Sequence, residues 1–326
     1  MTRTARRFAV DAAAVLALAA AMLAGPAQAS DKAIQRQTSF GGSCVRCELA
    51  GRNLAGARIV GANFAGANLM GANLRDAKFH ASNFAGADLT KADLTDSAMA
   101  GANFSGADLS NARLRSAEAN GVVFAAATLS RADLTDAQAS GAAFRRAVLI
   151  GMIARDAKLR GANFDGARLA SAVLRGASLQ GANLSRVEAH GAEFRDADMT
   201  GANLSNGSFS AASFRDADMR QANLNGAGFD GADFRDAELS RALLHGADLS
   251  NARGLKQSQL DDACGDSRTK LPRGLSVRHC AGVRLIVKPG EQHRTLRMVP
   301  AVPASPVSPP SPPSPPNPRY IISVGP

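Results

Sequence analysis

Every fifth residue from Leu49 to Leu249 is apolar, without a single insertion or deletion. These 41 positions hold 21 Leu, 12 Phe, 3 Met, 1 Ile and 4 Ala. A period of five matches neither the 3.6 residues of a helical turn nor the alternation of a long strand. The pattern therefore predicts a chain that turns a corner every five residues and directs one large side chain inward each time.

A second restricted position lies two residues before each of these, and it is Ala in 33 of the 41 cases. The residue between the two is often Asn or Asp, as in Ala62-Asn63-Phe64 and Ala107-Asp108-Leu109. Each side of the expected coil would thus contribute one large and one small inward side chain, with a polar residue between them.

This tandem Ala-(Asp/Asn)-(Leu/Phe)-x-x motif resembles the pentapeptide-repeat family, and the resemblance covers residues 47–251. It implies an all-β fold, a right-handed quadrilateral parallel β-helix, in which four pentapeptides form one coil of twenty residues. The repeats would make about ten coils and, at ~4.8 Å per coil, a rod roughly 50 Å long.

A period of twenty residues is also visible in the sequence itself. Phe recurs at this interval from Phe64 to Phe164, and again at Phe194, Phe214 and Phe234. Stacked coils favour such columns, because each inward side chain packs on its counterparts in the coils above and below.

The remaining regions differ in composition from the repeat. Residues 1–29 combine early arginines, an uncharged apolar run and the sequence Ala27-Gln28-Ala29, which together are typical of a cleaved signal peptide. The run is shorter than the ~20 residues that span a membrane, so we expect a periplasmic or secreted protein with no membrane span in the mature chain. The other expected segments are an N-terminal linker (30–43), the β-helix (44–254), a C-terminal capping segment (255–298) and a proline-rich tail (299–326).

The capping segment begins where the five-residue register stops. Leu255 and Leu260 predict a short segment packed over the last coil, with a helix through Cys264 that Gly265 ends. Residues 283–287 have the composition of a short edge strand. The ending also resembles the terminators of exported pentapeptide-repeat proteins. The tail is interpreted as a spacer or as a ligand for a partner.

Four cysteines, Cys44, Cys47, Cys264 and Cys280, allow three pairings. Cys47 and Cys264 would lie at opposite ends of the rod, whereas a disulfide needs Cα atoms within about 7 Å. The disulfides Cys44–Cys47 and Cys264–Cys280 remain, and an oxidising compartment favours both. A zinc site with all four thiolates fails on the same distance, and a redox-active Cys-x-x-Cys lacks its usual helix here.

The net charge of +10 is concentrated outside the repeat. Residues 44–254 hold 23 basic and 22 acidic residues, whereas residues 255–326 hold 10 basic and 4 acidic ones. The resemblance suggests imitation of duplex DNA to block topoisomerases, but such imitation needs a strongly acidic rod. The balanced charge argues against that function, and we expect no nucleic-acid partner.

The sequence gives no sign of a catalytic, cofactor or metal site. His80, His190 and His245 follow inward residues on three different walls, and His279 and His293 lie in the C-terminal region. Enzymes built on β-helices use long loops to form a cleft, and this repeat has no loop insertion. We therefore expect no enzyme.

One column of cations is the only candidate interaction face. Arg75 and Arg115 lie on the same wall, and the residue after most of these arginines is Asp. The column is interpreted either as a solvated, salt-bridged wall or as a docking face for a protein or an anionic envelope polymer. Its main members are Arg155, Arg175, Arg195, Arg215 and Arg235.

These features predict a non-enzymatic, exported structural scaffold or protein-interaction rod in the cell envelope. The alternatives are a DNA-mimic inhibitor of a topoisomerase and an envelope polysaccharide-binding protein. The partner is an unidentified protein or anionic envelope polymer, and a homodimer formed through the rod ends is a further option.

Overall fold

The computed structural model describes residues 42–280. The predicted signal peptide, nearly all of the linker, the edge strand at 283–287 and the proline-rich tail lie outside the described residues.

Parallel β-bridges join residues that are twenty positions apart, from Ser43 with Asn63 to Asp233 with Arg253. The bridging residue is the one that lies between the inward small residue and the inward large residue. Each twenty-residue coil has four bridging residues, and these produce the four walls of the rod. The spacing of twenty that the Phe columns predicted is therefore confirmed.

The hydrogen bonds around Phe144 illustrate how successive coils are joined. The Phe144 N–H donates to the carbonyl of Asn163 at 2.7 Å, and the Asn163 N–H donates back to the carbonyl of Ala142 at 2.9 Å. At the corner, the Ala147 N–H donates to the Phe144 carbonyl at 3.0 Å and closes a turn. Every pentapeptide thus contributes a short bridge to the next coil and one turn.

The second residue of each turn has a left-handed backbone conformation. Gly141 has a φ of 67°, Arg146 a φ of 54° and Asp156 a φ of 56°. This region costs most L-residues roughly 1–2 kcal/mol, whereas Gly adopts it freely and Asn and Asp tolerate it better than others. The turn therefore explains why Gly is the commonest residue at this position and why Asp recurs there.

The core is a stack of inward side chains along the rod axis. Phe144 and Ala142 are fully buried, as are nearly all other members of their registers. The Phe144 ring stacks on Phe124 with centroids 5.1 Å apart and on Phe164 at 4.8 Å. Phe194 and Phe214 stack in the same way at 5.1 Å. The predicted columns are confirmed, and they provide continuous apolar contact from coil to coil.

A short helix, α1 (Gln257–Leu260), lies over the C-terminal end of the rod. The Leu260 side chain is fully buried. The Gln259 amide donates to the carbonyls of Phe234 at 2.9 Å and Ala237 at 2.7 Å. These are carbonyls of the last complete coil, so one glutamine provides hydrogen bonds that a further coil would otherwise supply.

The prediction of a helix through Cys264 is wrong. Residues Cys264–Gly265 form strand β1, which pairs in parallel with strand β2 (Arg278–His279). Cys264 also continues the rod, because its N–H donates to the Ala242 carbonyl at 3.0 Å and its carbonyl accepts from the Leu244 N–H at 2.8 Å. The backbone of Cys264 thus pairs with the last coil and adds one level to the ladder of bridges. For this reason the residues after Leu260 do not continue the helix.

Both disulfides that the sequence favoured are present in the structure. Cys44 and Cys47 have Cα atoms 5.3 Å apart, and Cys264 and Cys280 have Cα atoms 4.8 Å apart. One disulfide lies at each end of the rod, and the second ties β2 to β1.

The N-terminal end differs from the C-terminal end. Within residues 42–280, the first coil pairs only with the coil that follows it. Arg52 is exposed although it occupies the register position of Ala72, which is fully buried one coil later. Leu54 is half-buried, whereas Leu74 is fully buried. A charged residue at an inward position opposes stacking of another sheet edge on this end.

Candidate interaction faces

The five predicted arginines lie in one row along a corner of the rod. Each follows a bridging residue by two positions, and those bridging residues pair in series: Ile153 with Val173, Val173 with Glu193, Glu193 with Ser213, and Ser213 with Asp233. The structure therefore places Arg155, Arg175, Arg195, Arg215 and Arg235 at successive levels of the same corner, with an aspartate row beside them.

Ion pairs cross between the two rows. Arg175 Nε lies 3.2 Å from Asp196 Oδ2, and Arg195 Nη2 lies 3.6 Å from Asp216 Oδ2. Arg195 Nε also lies 3.4 Å from Asp196 Oδ2. Each such arginine thus pairs with the aspartate of the next coil, which offsets repulsion along the arginine row. Exposed pairs of this kind contribute about 0–1 kcal/mol each.

The last arginine of the row has a different partner. The Arg235 guanidinium donates to the Asp233 carboxylate, from Nε to Oδ1 at 2.9 Å and from Nη2 to Oδ2. This hydrogen bond lowers the pKa of Asp233 and raises the pKa of Arg235. Among the described residues, Arg155 and Arg215 have no carboxylate within ion-pair distance. The row is therefore continuous in position but only partly neutralised.

The sequence prediction missed a buried carboxylate at another corner. Asp165 is 7% exposed, accepts a hydrogen bond from Ser185 Oγ at 2.9 Å, and lies 2.5 Å from Arg186 Nη2. Burial raises the pKa of Asp165, but the hydrogen bonds from Arg186 and Ser185 outweigh it, so the pKa is lowered. The sequence contains Asp165 twenty residues before Ser185-Arg186. This spacing predicts contact between the three side chains only once the coil length is known to be twenty residues.

Within residues 42–280, the two histidines with side-chain contacts, His190 and His245, have different partners at different corners of the rod. His190 contacts Ser210, and His245 Nδ1 lies 3.1 Å from Asn225 Oδ1 and 3.9 Å from Cys280 Sγ at the C-terminal disulfide. Within residues 42–280, no cluster of three or more His, Cys, Asp or Glu side chains has the geometry to hold a metal ion. The groove beside His245 is shallow and is lined by Asn206, Asn225, Gly226, His245, Gly246 and Arg268.

A family model for pentapeptide repeats matches the chain in eight copies, over residues 44–84, 77–115, 107–146, 155–188, 167–206 and 212–251. Together these segments cover more than half of the chain. The chain belongs to the pentapeptide-repeat family. Members of the family fold as right-handed quadrilateral β-helices and are generally structural or interaction proteins. The match is interrupted at residues 147–154 and 207–211.

Solved structures of the same family are similar to this chain. HetL, a pentapeptide repeat protein involved in heterocyst differentiation regulation in Nostoc sp. strain PCC 7120, is 27% identical with a TM-score of 0.44, over 71% of this chain and 93% of HetL. A pentapeptide repeat protein of the Arabidopsis thaliana thylakoid lumen is 31% identical with a TM-score of 0.26, over 37% of this chain and 69% of its own. QnrB1, a plasmid-mediated fluoroquinolone resistance protein, is 23% identical with a TM-score of 0.22, over 69% and 94%.

No curated protein matches the chain significantly. Among the described residues, none of the helices has the length and apolar character needed to cross a lipid bilayer.

Proposed function

We propose that the mature protein is an exported, non-enzymatic pentapeptide-repeat rod of about ten coils that acts as a scaffold or protein-interaction surface in the cell envelope. The observation that carries this proposal is the alignment of outward side chains in straight rows, as at Arg175, Arg195 and Arg215. A rigid backbone holds these rows at a fixed spacing, and no inserted loop interrupts them. Such a surface suits a partner that reads spacing and charge.

One feature of the sequence and one of the structure support export. Residues 1–29 have the composition of a cleaved signal peptide. All four cysteines of the chain are in disulfides, and disulfides persist in oxidising compartments.

Imitation of DNA has less support than a scaffold role. A DNA mimic presents negative charge to a site that is built for phosphate. The rod over residues 44–254 has 23 basic and 22 acidic residues, and one of its corners carries a row of arginines. The charge balance therefore favours partners other than a topoisomerase.

Localisation tests export directly. A C-terminally tagged full chain should fractionate with the periplasm or medium and have no thiols that react with an alkylating agent. A matched chain without residues 1–29 should remain in the cytoplasm with reactive thiols. Cytoplasmic retention of the full chain with free thiols would contradict export.

The arginine row can then be tested as the interaction surface. Cross-linked pull-down from envelope fractions would compare the full chain, a chain without residues 299–326 and a triple variant, Arg195→Glu, Arg215→Glu and Arg235→Glu. A matched control reverses three arginines away from this wall, Arg168→Glu, Arg186→Glu and Arg241→Glu. A partner that is lost only in the first triple variant identifies the row as its docking face, whereas equal capture by both triple variants contradicts that role.

A further inference from the structure

One coil of the rod, residues 143–162, differs from all the others in charge. It contains five basic residues and one acidic residue, Asp156. No other twenty-residue coil between residues 43 and 242 has a net charge beyond two units of either sign. The near-neutral total of the rod therefore conceals one strongly basic level.

Three of the four outward bridging positions of this coil are apolar. These are Ala143, Val148 and Ile153, whereas the coils before and after each have one apolar bridging residue, Val123 and Val173; Ile150 occupies a corner. The family match is interrupted at residues 147–154, which lie within this coil. The coil thus departs from its neighbours by its apolar bridging residues and, above all, by its five cations, compared with one in the preceding coil and two in the following coil.

The cations of this coil are exposed and unpaired. All five have exposed side chains, and none lies within ion-pair distance of a carboxylate in the described part of the chain. Arginines elsewhere in the rod behave differently, since Arg115 lies 3.3 Å from Asp133 and Arg168 lies 3.3 Å from Glu188. The five cations consequently have no direct ion-pair partner among the described residues, and Arg145 acts electrostatically on a nearby carboxylate, that of Asp165 in the next coil.

These cations surround the rod instead of lining one side. Arg145 and Arg146 lie at one corner and Arg155 lies at a second corner. Lys158 lies on the wall that follows, and Arg160 lies at the third corner, where that wall ends. At the remaining corner, the Arg131 side chain of the preceding coil extends toward Gly151, with its Cγ 3.6 Å from the position that a Gly151 side chain would occupy. We define the basic girdle as Arg131, Arg145, Arg146, Arg155, Lys158 and Arg160.

We propose that the basic girdle binds a flexible linear polyanion that follows the circumference of the rod. This proposal rests on the proposed interaction role and adds a partner chemistry to it. A guanidinium group can donate two parallel hydrogen bonds to two oxygens of one phosphate, sulfate or carboxylate group. Five of the six girdle residues are Arg. A flat partner, such as a membrane or a protein face, contacts one or two sides and leaves the other cations unused. A flexible chain can contact all of them.

Two other polyanions fit the girdle less well. Duplex DNA has a persistence length of about 50 nm and does not bend around so thin a rod at low cost. Single-stranded nucleic acid binds largely through bases stacked on aromatic side chains, and every Phe in residues 42–280 is buried. The chemistry therefore favours a flexible chain of anionic groups without a requirement for base stacking.

The test uses the purified full chain and long-chain linear polyphosphate labelled with a fluorophore. The girdle variant replaces all six members with Gln, a residue that already adopts the left-handed turn conformation at Gln221 (φ 59°). The matched control replaces six ion-paired cations outside both the arginine row and the girdle with Gln: Arg113, Arg168, Arg220, Lys256, Arg268 and Lys270. Both variants have the same net charge, and circular dichroism checks that both are folded.

If the six girdle cations neutralise six phosphates, the affinity of the unmodified protein falls with salt concentration with an exponent of about 0.7 per phosphate. We therefore expect the unmodified protein to lose about 300-fold in affinity between about 50 and 200 mM salt. The girdle variant should bind at least about tenfold more weakly at low salt and lose most of that salt dependence. The control variant should stay within about threefold of the unmodified protein.

Three results would overturn the proposal. Equal weakening of the two variants would indicate general charge attraction. Girdle-dependent binding to vesicles of phosphatidylglycerol and phosphatidylcholine, or to short duplex DNA, as tight as to polyphosphate would indicate a flat or rigid partner. Failure of the purified protein to bind polyphosphate would refute the girdle site without bearing on export, which the localisation experiment tests separately.

Discussion

The stacked Phe column gives the sharpest stability prediction, through Phe144→Ala. Phe144 is fully buried and stacks on both sides, with Phe124 at 5.1 Å and Phe164 at 4.8 Å. Phe64 is the natural control, because it is the first Phe of the same column, is 7% exposed, and stacks only on Phe84 at 5.1 Å. The two substitutions remove the same atoms from the same column.

The expected costs follow from the number of stacked neighbours. Truncation of a buried Phe to Ala costs about 3–5 kcal/mol, depending on how far the site collapses. Aromatic pairs contribute about 0.5–1.5 kcal/mol beyond the buried area. Phe144→Ala loses two pairs in a site held by coils on both sides, so we expect about 5 kcal/mol. Phe64→Ala loses one pair near an end, so we expect about 3 kcal/mol.

Urea unfolding followed by far-ultraviolet circular dichroism measures this difference. Because solenoid stability is largely a sum of neighbour interfaces, Phe144→Ala should also broaden or split the transition, as the two halves of the rod lose their coupling. Equal costs for the two variants, or a cost below about 2 kcal/mol for Phe144→Ala, would refute the view that stacking between coils holds the rod together.

Three further predictions concern the two ends of the rod. Cys264→Ser opens a disulfide with a sequence separation of 16 and should cost about 3 kcal/mol in urea unfolding; an unchanged midpoint would contradict this. Arg52→Leu should produce concentration-dependent end-to-end association in light scattering, because it removes the charge from an inward position in the first coil of the described residues; an unchanged mass would contradict this. Hydrogen bonds from Ser250 and Lys270 lower the pKa of Asp248 to about 2. Its stabilising contribution is therefore complete above the unfolded pKa of about 3.9 and is lost as the pH falls toward 2. Asp248→Asn should reduce the acid sensitivity of the urea midpoint across this window, and equal sensitivity in both proteins would contradict the pairing.

The core and the coil length could be predicted because the same pattern of inward residues recurs in every repeat. Each inward position recurs every five residues, and the Phe columns fix the stacking interval at twenty, as at Phe124 and Phe144. Polar residues rarely occupy the large inward positions, and bulky residues rarely occupy the small ones. Local preference and tertiary packing therefore agree.

The C-terminal cap could not be predicted in the same way, because its contacts depend on an end that exists only after the rod has formed. Gln259 is unremarkable in sequence, yet its amide binds two carbonyls of the last coil. Cys264 follows a helix in sequence but continues the ladder in space. Tertiary hydrogen bonds thus override the local helical preference that the sequence indicated.

The sequence predicted where the arginine row lies, but it did not predict which aspartate forms an ion pair with each arginine. The sequence places Arg195 beside Asp196, whereas the structure also pairs Arg195 with Asp216 in the next coil. Arg235 instead pairs with Asp233, two residues earlier. Side-chain rotamers decide between these partners, and the repeat pattern does not specify rotamers.

The bridging interval of twenty residues limits how the length of this protein can change. Insertion or deletion of one pentapeptide preserves the alternation of large and small inward residues, but it rotates everything downstream by a quarter turn around the rod axis. The Phe column that ends at Phe164 would then no longer continue into Leu184 on the same wall. Duplication or loss of a whole coil, such as residues 194–213, keeps every wall in place. The length of the rod can therefore change smoothly only in units of twenty residues.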